Sequence, residues 1–217
     1  YSTHIVVTEA FVVKVPESLD LSRAAPLLCA GITTYSPLRQ WNVKAGDRVG
    51  VVGLGGLGHM AVKLANAMGA EVTMLSTSPS KQADAQRLGA HDFALTTERA
   101  TFKKLAGRFD VLIDTVSASH DVNGLFRLLK PFGALVLVGL PPRPMELLAG
   151  SIVSGNKRFA GSSIGGMKET QELLDFCAAK NVLADVEVIP AEAINTAYER
   201  MLKSDVRYRF VIDTKTL

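Results

Sequence analysis

The sequence predicts an α/β fold built on a doubly wound parallel sheet, and three observations point there. From about Val49 onward, six short apolar runs alternate with five segments of helical period. The runs VGVVG, DVLID and ALVLVG are continuous rather than alternating, as strands buried on both faces must be. Gly53-Leu54-Gly55-Gly56-Leu57-Gly58 follows the first run and opens the first helical segment.

The pattern predicts strands over Arg48–Gly53, Val72–Ser76, Asp92–Leu95, Val111–Asp114, Ala134–Val138 and Arg158–Ser162. Helices are expected over Leu57–Met68, Ser80–Leu88, Glu98–Ala106, Val122–Leu129 and Met145–Ser154. The flanks fall outside this repeat. His4–Val7 and Phe11–Val15 read as strands, and Pro26–Trp41 reads as a helix that Pro37 breaks or kinks. A helix at about Lys168–Lys180, a strand at Glu187–Ile189, a helix at Ala191–Leu202 and a strand at Tyr208–Ile212 follow the sixth run. Both ends look like parts of one further domain whose main portion lies elsewhere, so the strands His4–Val7, Phe11–Val15 and Tyr208–Ile212 are expected to lack their partners. The chain opens at Tyr1 rather than at an initiator Met, which suggests a truncated, processed or incomplete chain.

Composition narrows the function. Hydrophobic residues make up 47% and charged residues 21% of the 217, too apolar for a disordered chain. The excess of 24 basic over 21 acidic residues is small and scattered, and aromatics are only 6%, which argues against a nucleic-acid partner. No apolar run reaches the roughly 18 residues of a membrane span. Two cysteines, Cys29 and Cys177, are too few for a disulfide scaffold and read as free thiols in a reducing, cytoplasmic setting. Cys177 sits in an apolar helical pattern and reads as core.

The glycine loop carries the chemistry. In G-x-G-x-x-G the first glycine makes the tight turn, the second admits a pyrophosphate close to the backbone, and the third packs helix on strand. The helix N-terminus supplies unpaired donors and partial positive charge. This predicts a dinucleotide site at Gly53, Leu54, Gly55, Gly56, Leu57 and Gly58. The end of the second strand selects the nucleotide. An NAD site places an acid there to accept from the ribose hydroxyl. Here Ser76-Thr77-Ser78 and Lys81 occupy that place, no acid occurs from Val72 to Ala83, and Glu71 lies at the wrong end of the strand. Hydroxyls and an ammonium suit a 2′-phosphate, so NADP(H) is favoured over NAD, although Ser78 or Ser80 would also serve as a helix N-cap.

Four strings together carry a family resemblance: LLCAGITTYSPL at Leu27–Leu38, VGLGGLGHM at Val52–Met60, GSSIGG at Gly161–Gly166 and DVRYRFVID at Asp205–Asp213. The chain resembles the cinnamyl-alcohol-dehydrogenase branch of the zinc-dependent medium-chain dehydrogenase/reductases, and within it the bacterial broad-substrate NADPH-dependent aldehyde reductases. The resemblance spans essentially the whole chain. It implies a Rossmann sheet flanked by remnants of a GroES-like β domain. Residues 1–29 would belong to the catalytic domain, 30–165 to the NADP-binding domain and 166–217 to the return into the catalytic domain.

The resemblance also assigns roles. It implies that Cys29 is a catalytic zinc ligand and that Thr33 touches the cofactor near its nicotinamide end. Leu54 to Leu57 would cradle the pyrophosphate, and Ser76, Thr77, Ser78 and Lys81 would take the 2′-phosphate. Thr115, Val138 and Gly139 would line the cofactor trough. Ser162, Ser163 and Ile164 would reach the carboxamide through backbone groups; the branch often has an aromatic at the middle position, so Ser163 departs from it. The remaining zinc ligands, the structural zinc site and the proton relay of the family would lie upstream of Tyr1, and His4, His59, His91 and His120 are not spaced to replace them. The implied reaction is hydride transfer between NADP(H) and a small alcohol or aldehyde, in a homodimer joined at the sixth strand. The rival readings are a cofactor-binding module without catalysis, a zinc-free quinone reductase and an NAD-dependent polyol dehydrogenase. The LLCAG context of Cys29 argues against the second, and the missing acid near Ser76 against the third.

Overall fold

The computed structural model describes residues 2–217, and the chain divides into two compact units. One comprises residues 33–164; the other joins the residues up to Ile32 with Gly165–Leu217.

In chain order, a 3-10 turn at Glu9–Phe11 precedes α1 (Leu21–Ala24), a second 3-10 turn (Ala25–Leu28) and α2 (Ala30–Gln40). The repeat then runs β1 (Arg48–Val52), α3 (Gly58–Ala67), β2 (Glu71–Ser76), a 3-10 turn at Pro79–Lys81, α4 (Gln82–Arg87), β3 (Asp92–Leu95), α5 (Arg99–Lys104), β4 (Phe109–Asp114), α6 (Val122–Leu128), β5 (Leu129–Leu137), α7 (Ala149–Val153) and β6 (Arg158–Gly161). The chain closes with α8 (Met167–Lys180), β7 (Val186–Pro190), α9 (Ile194–Leu202) and β8 (Arg209–Asp213).

The six strands of the larger unit form one parallel sheet of order β3-β2-β1-β4-β5-β6, the doubly wound Rossmann arrangement the sequence predicts. Its central strands are fully covered: Val49, Val51, Val72, Met74, Leu112, Ile113, Leu135 and Val136 have no exposed surface. On one face Phe109 and Phe126 anchor a cluster with Leu75, Leu112, Leu125 and Leu135. α3 packs on β1 and β2. At the amino ends of the strands Glu71 pairs with Arg48 (3.2 Å) and with Arg108, while Asp110 takes the Arg48 backbone N–H (2.9 Å) and pairs with Lys130. Glu71 is therefore spent at the end of β2 remote from the glycine turn.

Boundaries differ from expectation where side chains intercept the backbone. The helix expected over Met145–Ser154 shrinks to α7. The Asn123 amide donates to the Glu146 carbonyl (2.9 Å) and accepts from the Leu148 N–H (3.0 Å), so those backbone groups are lost to a helix. Pro37 lies inside α2 without ending it; the helical run breaks earlier, at Cys29, whose φ −132° and ψ −74° separate the 3-10 turn from α2.

The flanks bring two corrections. His4–Val7 and Phe11–Val15 are not strands. Ile5, Val6 and Phe11 are exposed, and no strand among the described residues offers them a ladder. Lys14 finds a substitute for a strand partner, its N–H and C=O both paired with the Gln171 side-chain amide of α8 at 2.7 and 2.9 Å. The final strand, expected to be without a partner in this chain, has one: β8 pairs in parallel with β7, and α9 makes the crossover. Arg200 secures this unit by bridging Glu187 and Asp205, both at 2.8 Å, over the Phe210 ring.

Phe132, within β5 where its register against β4 shifts, has φ +63° and is 61% exposed. A bulky side chain in left-handed backbone costs about 1–2 kcal/mol. Phe132→Gly removes that cost against about 0.4–1 kcal/mol of added unfolded-state entropy. The variant should melt about 1–3 °C higher in a thermal scan, whereas Phe132→Ala, which keeps the Cβ, should gain nothing.

Candidate functional site

β1 and β4 run parallel, and the chain passes from them to opposite sides of the sheet, from β1 to β2 and from β4 to β5, so their carboxyl ends open a crevice where a doubly wound sheet binds ligands. A cleft of about 500 Å³ occupies it, walled by Gly53 and Leu54 after β1, by Ser76, Thr77, Ser78 and Lys81 after β2, and by the loop after β4. All of these residues belong to the larger unit.

The turn from β1 into α3 is held by packing that only glycine permits. Gly53 has φ +88°. A Cβ on Gly58 would lie 1.9 Å from the Gly53 carbonyl oxygen, so helix and strand end meet at a distance any side chain would forbid. The Thr115 hydroxyl at the end of β4 lies 2.8 and 3.0 Å from the Val52 and Gly53 carbonyls and donates into the same turn. Gly55 is different. Its φ is not positive, it is exposed, and a Cβ there would meet nothing within 4 Å. The chain's own packing makes no demand for glycine at 55; a group approaching from the cleft would. No side chain caps α3, so its first turn keeps donors for an anion. His59 is fully buried with Nδ1 2.8 Å from the Gly56 carbonyl, a packed helix-start residue.

The turn after β2 shapes itself with hydroxyls. The Ser76 Oγ accepts from the Ser78 N–H (3.1 Å), and the Ser78 and Ser80 hydroxyls share a hydrogen bond of 2.8 Å. Ser78 occupies the N-cap position of the following 3-10 turn, but its side chain does not cap it. Among residues 72–83 there is no carboxylate, so the cleft wall here presents hydroxyls, backbone N–H groups and the Lys81 ammonium.

The other predicted residues are placed as follows. Thr115, Val138 and Gly139 lie behind the cleft wall. The Val138 and Gly139 N–H groups both donate to the Asp114 carbonyl (2.9 and 3.0 Å), and a Cβ on Gly139 would lie 2.3 Å from the Val116 oxygen. Ser162 ends β6 with its N–H on the Leu137 carbonyl, and its Oγ is buried without a partner among the described residues. Ser163 is exposed, and Ile164 has φ +52°. Thr33 is buried in α2. Cys29 is exposed at the joint before α2, while Cys177 is fully buried and its thiol is pushed up to about 12 by that burial. Among the described residues no three His, Cys, Asp or Glu side chains converge, so they do not by themselves fit a tetrahedral zinc.

Sequence reasoning missed one feature of the cleft. Asp114, at the end of β4, is completely buried and lies 2.7 Å from Nε2 of His120. The signal was present: an acid ending an apolar strand must find a partner, and the next cation in the chain is His120.

The comparisons with known proteins agree with this architecture. The profile of the zinc-binding dehydrogenase family matches residues 56–179. The NADP-dependent alcohol dehydrogenase C 1 of Mycolicibacterium smegmatis is 57% identical over all 217 residues, and the mannitol dehydrogenase of Petroselinum crispum is 55% identical over 98% of the chain. The chain spans 62% and 64% of the lengths of these two relatives. Among solved structures, a cinnamyl alcohol dehydrogenase from Sorghum bicolor superposes with a TM-score of 0.94 at 52% identity, covering 96% of this chain and 60% of that one. A cinnamyl alcohol dehydrogenase from Helicobacter pylori, complexed with NADP(H), superposes with a TM-score of 0.88 at 41% identity over 97% of this chain and 60% of that one. With a profile match across more than half its length, on the sheet order and glycine turn described above, the chain belongs to the zinc-binding dehydrogenase family.

Proposed function

We propose that this chain is the cofactor-binding part of an NADP(H)-dependent alcohol dehydrogenase or aldehyde reductase. The observation that carries the reading is the cleft itself, with a glycine at 55 that only an approaching group explains and a hydroxyl-and-lysine wall at the end of β2. The named activity of the relatives and the NADP(H) complex of the H. pylori structure support it. Gly53 to Gly58 hold the pyrophosphate at the start of α3, and Ser76, Thr77, Ser78 and Lys81 hold the 2′-phosphate. Thr115 acts on the turn rather than on the ligand, since its hydroxyl is spent on the Val52 and Gly53 carbonyls. Thr33, Val138, Gly139, Ser162, Ser163 and Ile164 belong to the nicotinamide end of the site. The bound nicotinamide supplies the hydride; the chain contributes position and electrostatics. Cys29 supplies one thiolate to a zinc whose other ligands come from additional polypeptide, in a cytoplasmic setting that keeps the thiol reduced. The smaller unit is then a portion of the catalytic domain. The alternative is a cofactor-binding module without catalysis, favoured for the 217 residues alone by the lack of a converging metal-ligand set.

NADPH should bind more tightly than NADH in a calorimetric titration. Lys81→Ala should weaken NADPH roughly ten- to hundred-fold while changing NADH little, because a charge-assisted contact is worth about 1.5–3 kcal/mol. Equal affinity of the unmodified chain for both nucleotides would count against the 2′-phosphate reading.

The 217-residue chain should bind cofactor yet show no stoichiometric zinc and no aldehyde-dependent NADPH oxidation. A longer polypeptide supplying the remaining ligands should show both, and Cys29→Ser in it should abolish both. Metal analysis beside a turnover assay decides this; zinc and turnover in the short chain would overturn it.

The edge strand β6 presents an unpaired ladder, and pairing with a second copy would extend the sheet. Light scattering should report a dimer, and Gly161→Pro in β6 should shift it toward monomer by removing a backbone donor that faces the open edge, since the alternate N–H of Ser162 is the one directed at β5.

A further inference from the structure

The ring of His120 spans two acceptors. Nε2 lies 2.7 Å from Oδ2 of Asp114, and Nδ1 lies 2.9 Å from the carbonyl oxygen of Ala118. A carbonyl oxygen has no proton to give, and an ionised carboxylate has none. Both contacts are hydrogen bonds only when one proton on Nδ1 faces the Ala118 carbonyl and another lies between Nε2 and Oδ2; with Asp114 ionised, that ring is an imidazolium. Asp114 is fully buried, and its Oδ1 accepts from the Val116 N–H at 3.1 Å. The imidazolium thus partners a buried carboxylate and ties the loop between β4 and α6 at both ends. That loop is one wall of the nucleotide cleft, and the ring itself faces the cleft.

We propose that the His120 imidazolium, clamped on the Asp114 carboxylate, is a positioning residue that holds the β4–α6 loop as a wall of the nucleotide cleft and makes nucleotide binding proton-dependent. The proposal rests on reading the cleft as a dinucleotide site.

Charges around the ring favour the cation on balance. Asp114 is in direct contact, and Asp121 stands next in sequence, capping α6 through the Gly124 N–H at 2.9 Å. Glu146, on the loop after β5, lines the cavity on the far side of the ring. Opposing them are Lys81, across the cleft, and Arg143 beside Glu146. The hydrogen bond to Asp114, helped by the Ala118 carbonyl and the nearby carboxylates, holds the His120 pKa above its ordinary value against the desolvation that opposes it. With the folded pKa raised, the clamp is complete below the ordinary histidine pKa of about 6.5 and is lost as pH rises through the raised value.

The test is calorimetric binding of NADPH and of NADH to the full chain and to its His120→Gln variant, from about pH 5.5 to about pH 9, a range that brackets histidine titration. Unmodified protein should lose about ten-fold in affinity as pH rises, equally for both nucleotides, which separates the effect from titration of the 2′-phosphate present only in NADPH. The variant should bind about ten-fold more weakly at the acidic end and show no such step. Ring-nitrogen NMR of the unmodified protein should report a titration above the ordinary histidine value, and Asp114→Asn should lower that titration. If His120→Gln binds both nucleotides with unchanged affinity and unchanged pH dependence, the proposal is overturned. A ring that titrates at or below the ordinary value overturns it too, and decides the matter if the variant does not fold. Failure of the unmodified chain to bind either nucleotide would instead refute the cofactor reading and take the proposal with it.

Discussion

The approach of Gly58 to the Gly53 carbonyl sets the geometry of this molecule. A Cβ there would stand 1.9 Å from the oxygen, so β1 and α3 share a space that no side chain can enter. That contact fixes where α3 begins, and with it where the uncapped donors of its first turn point. It also fixes the height of the crevice between β1 and β4, because Thr115 closes on the same two carbonyls from the neighbouring strand. The sheet supplies a rigid base: its central strands are fully covered, and the ion pairs of Glu71 and Asp110 secure the opposite end.

Above that base the cleft is built from loops, and each loop is held by side chains spent on backbone. Ser76 and Ser78 organise the turn after β2, Asn123 holds the segment before α7, and His120 spans the loop after β4. Buried polar groups of this kind are costly unless satisfied, which is why the Asp114–His120 pair has the most to lose when a proton leaves.

The smaller unit follows a different logic. It has one short parallel pair, a crossover helix and an N-terminal stretch whose apolar residues face outward. Val188, Tyr198, Met201 and Leu202 are exposed as well. Beside the buried Leu27, Leu173, Leu174, Cys177 and Ala184, it is secured by single devices such as the Arg200 bridge and the Gln171 amide. In the larger unit the carboxyl ends of the strands converge on one crevice; the smaller unit holds Cys29 exposed at a break between two helical segments.

What was legible in the sequence is what local chemistry dictates. Continuous apolar runs announced parallel strands, G-x-G-x-x-G announced the turn, and the absence of an acid from Val72 to Ala83 marked what became a carboxylate-free stretch of the cleft wall; each depends on residues near one another in the chain. Strand pairing and burial do not. His4–Val7 has β-type residues yet forms no strand, because a strand exists only when another backbone meets its donors and acceptors. Tyr208–Ile212 read as an orphan and became half of a parallel pair, since α9 carries the chain back beside β7. The sequence by itself determined the succession of strands and helices and the position of the glycine turn. Only the tertiary structure decided that Asp114 is sealed from water and paired with His120: an acid ending an apolar strand marks a need for a partner, but the burial that makes the need acute comes from elements far apart in the chain.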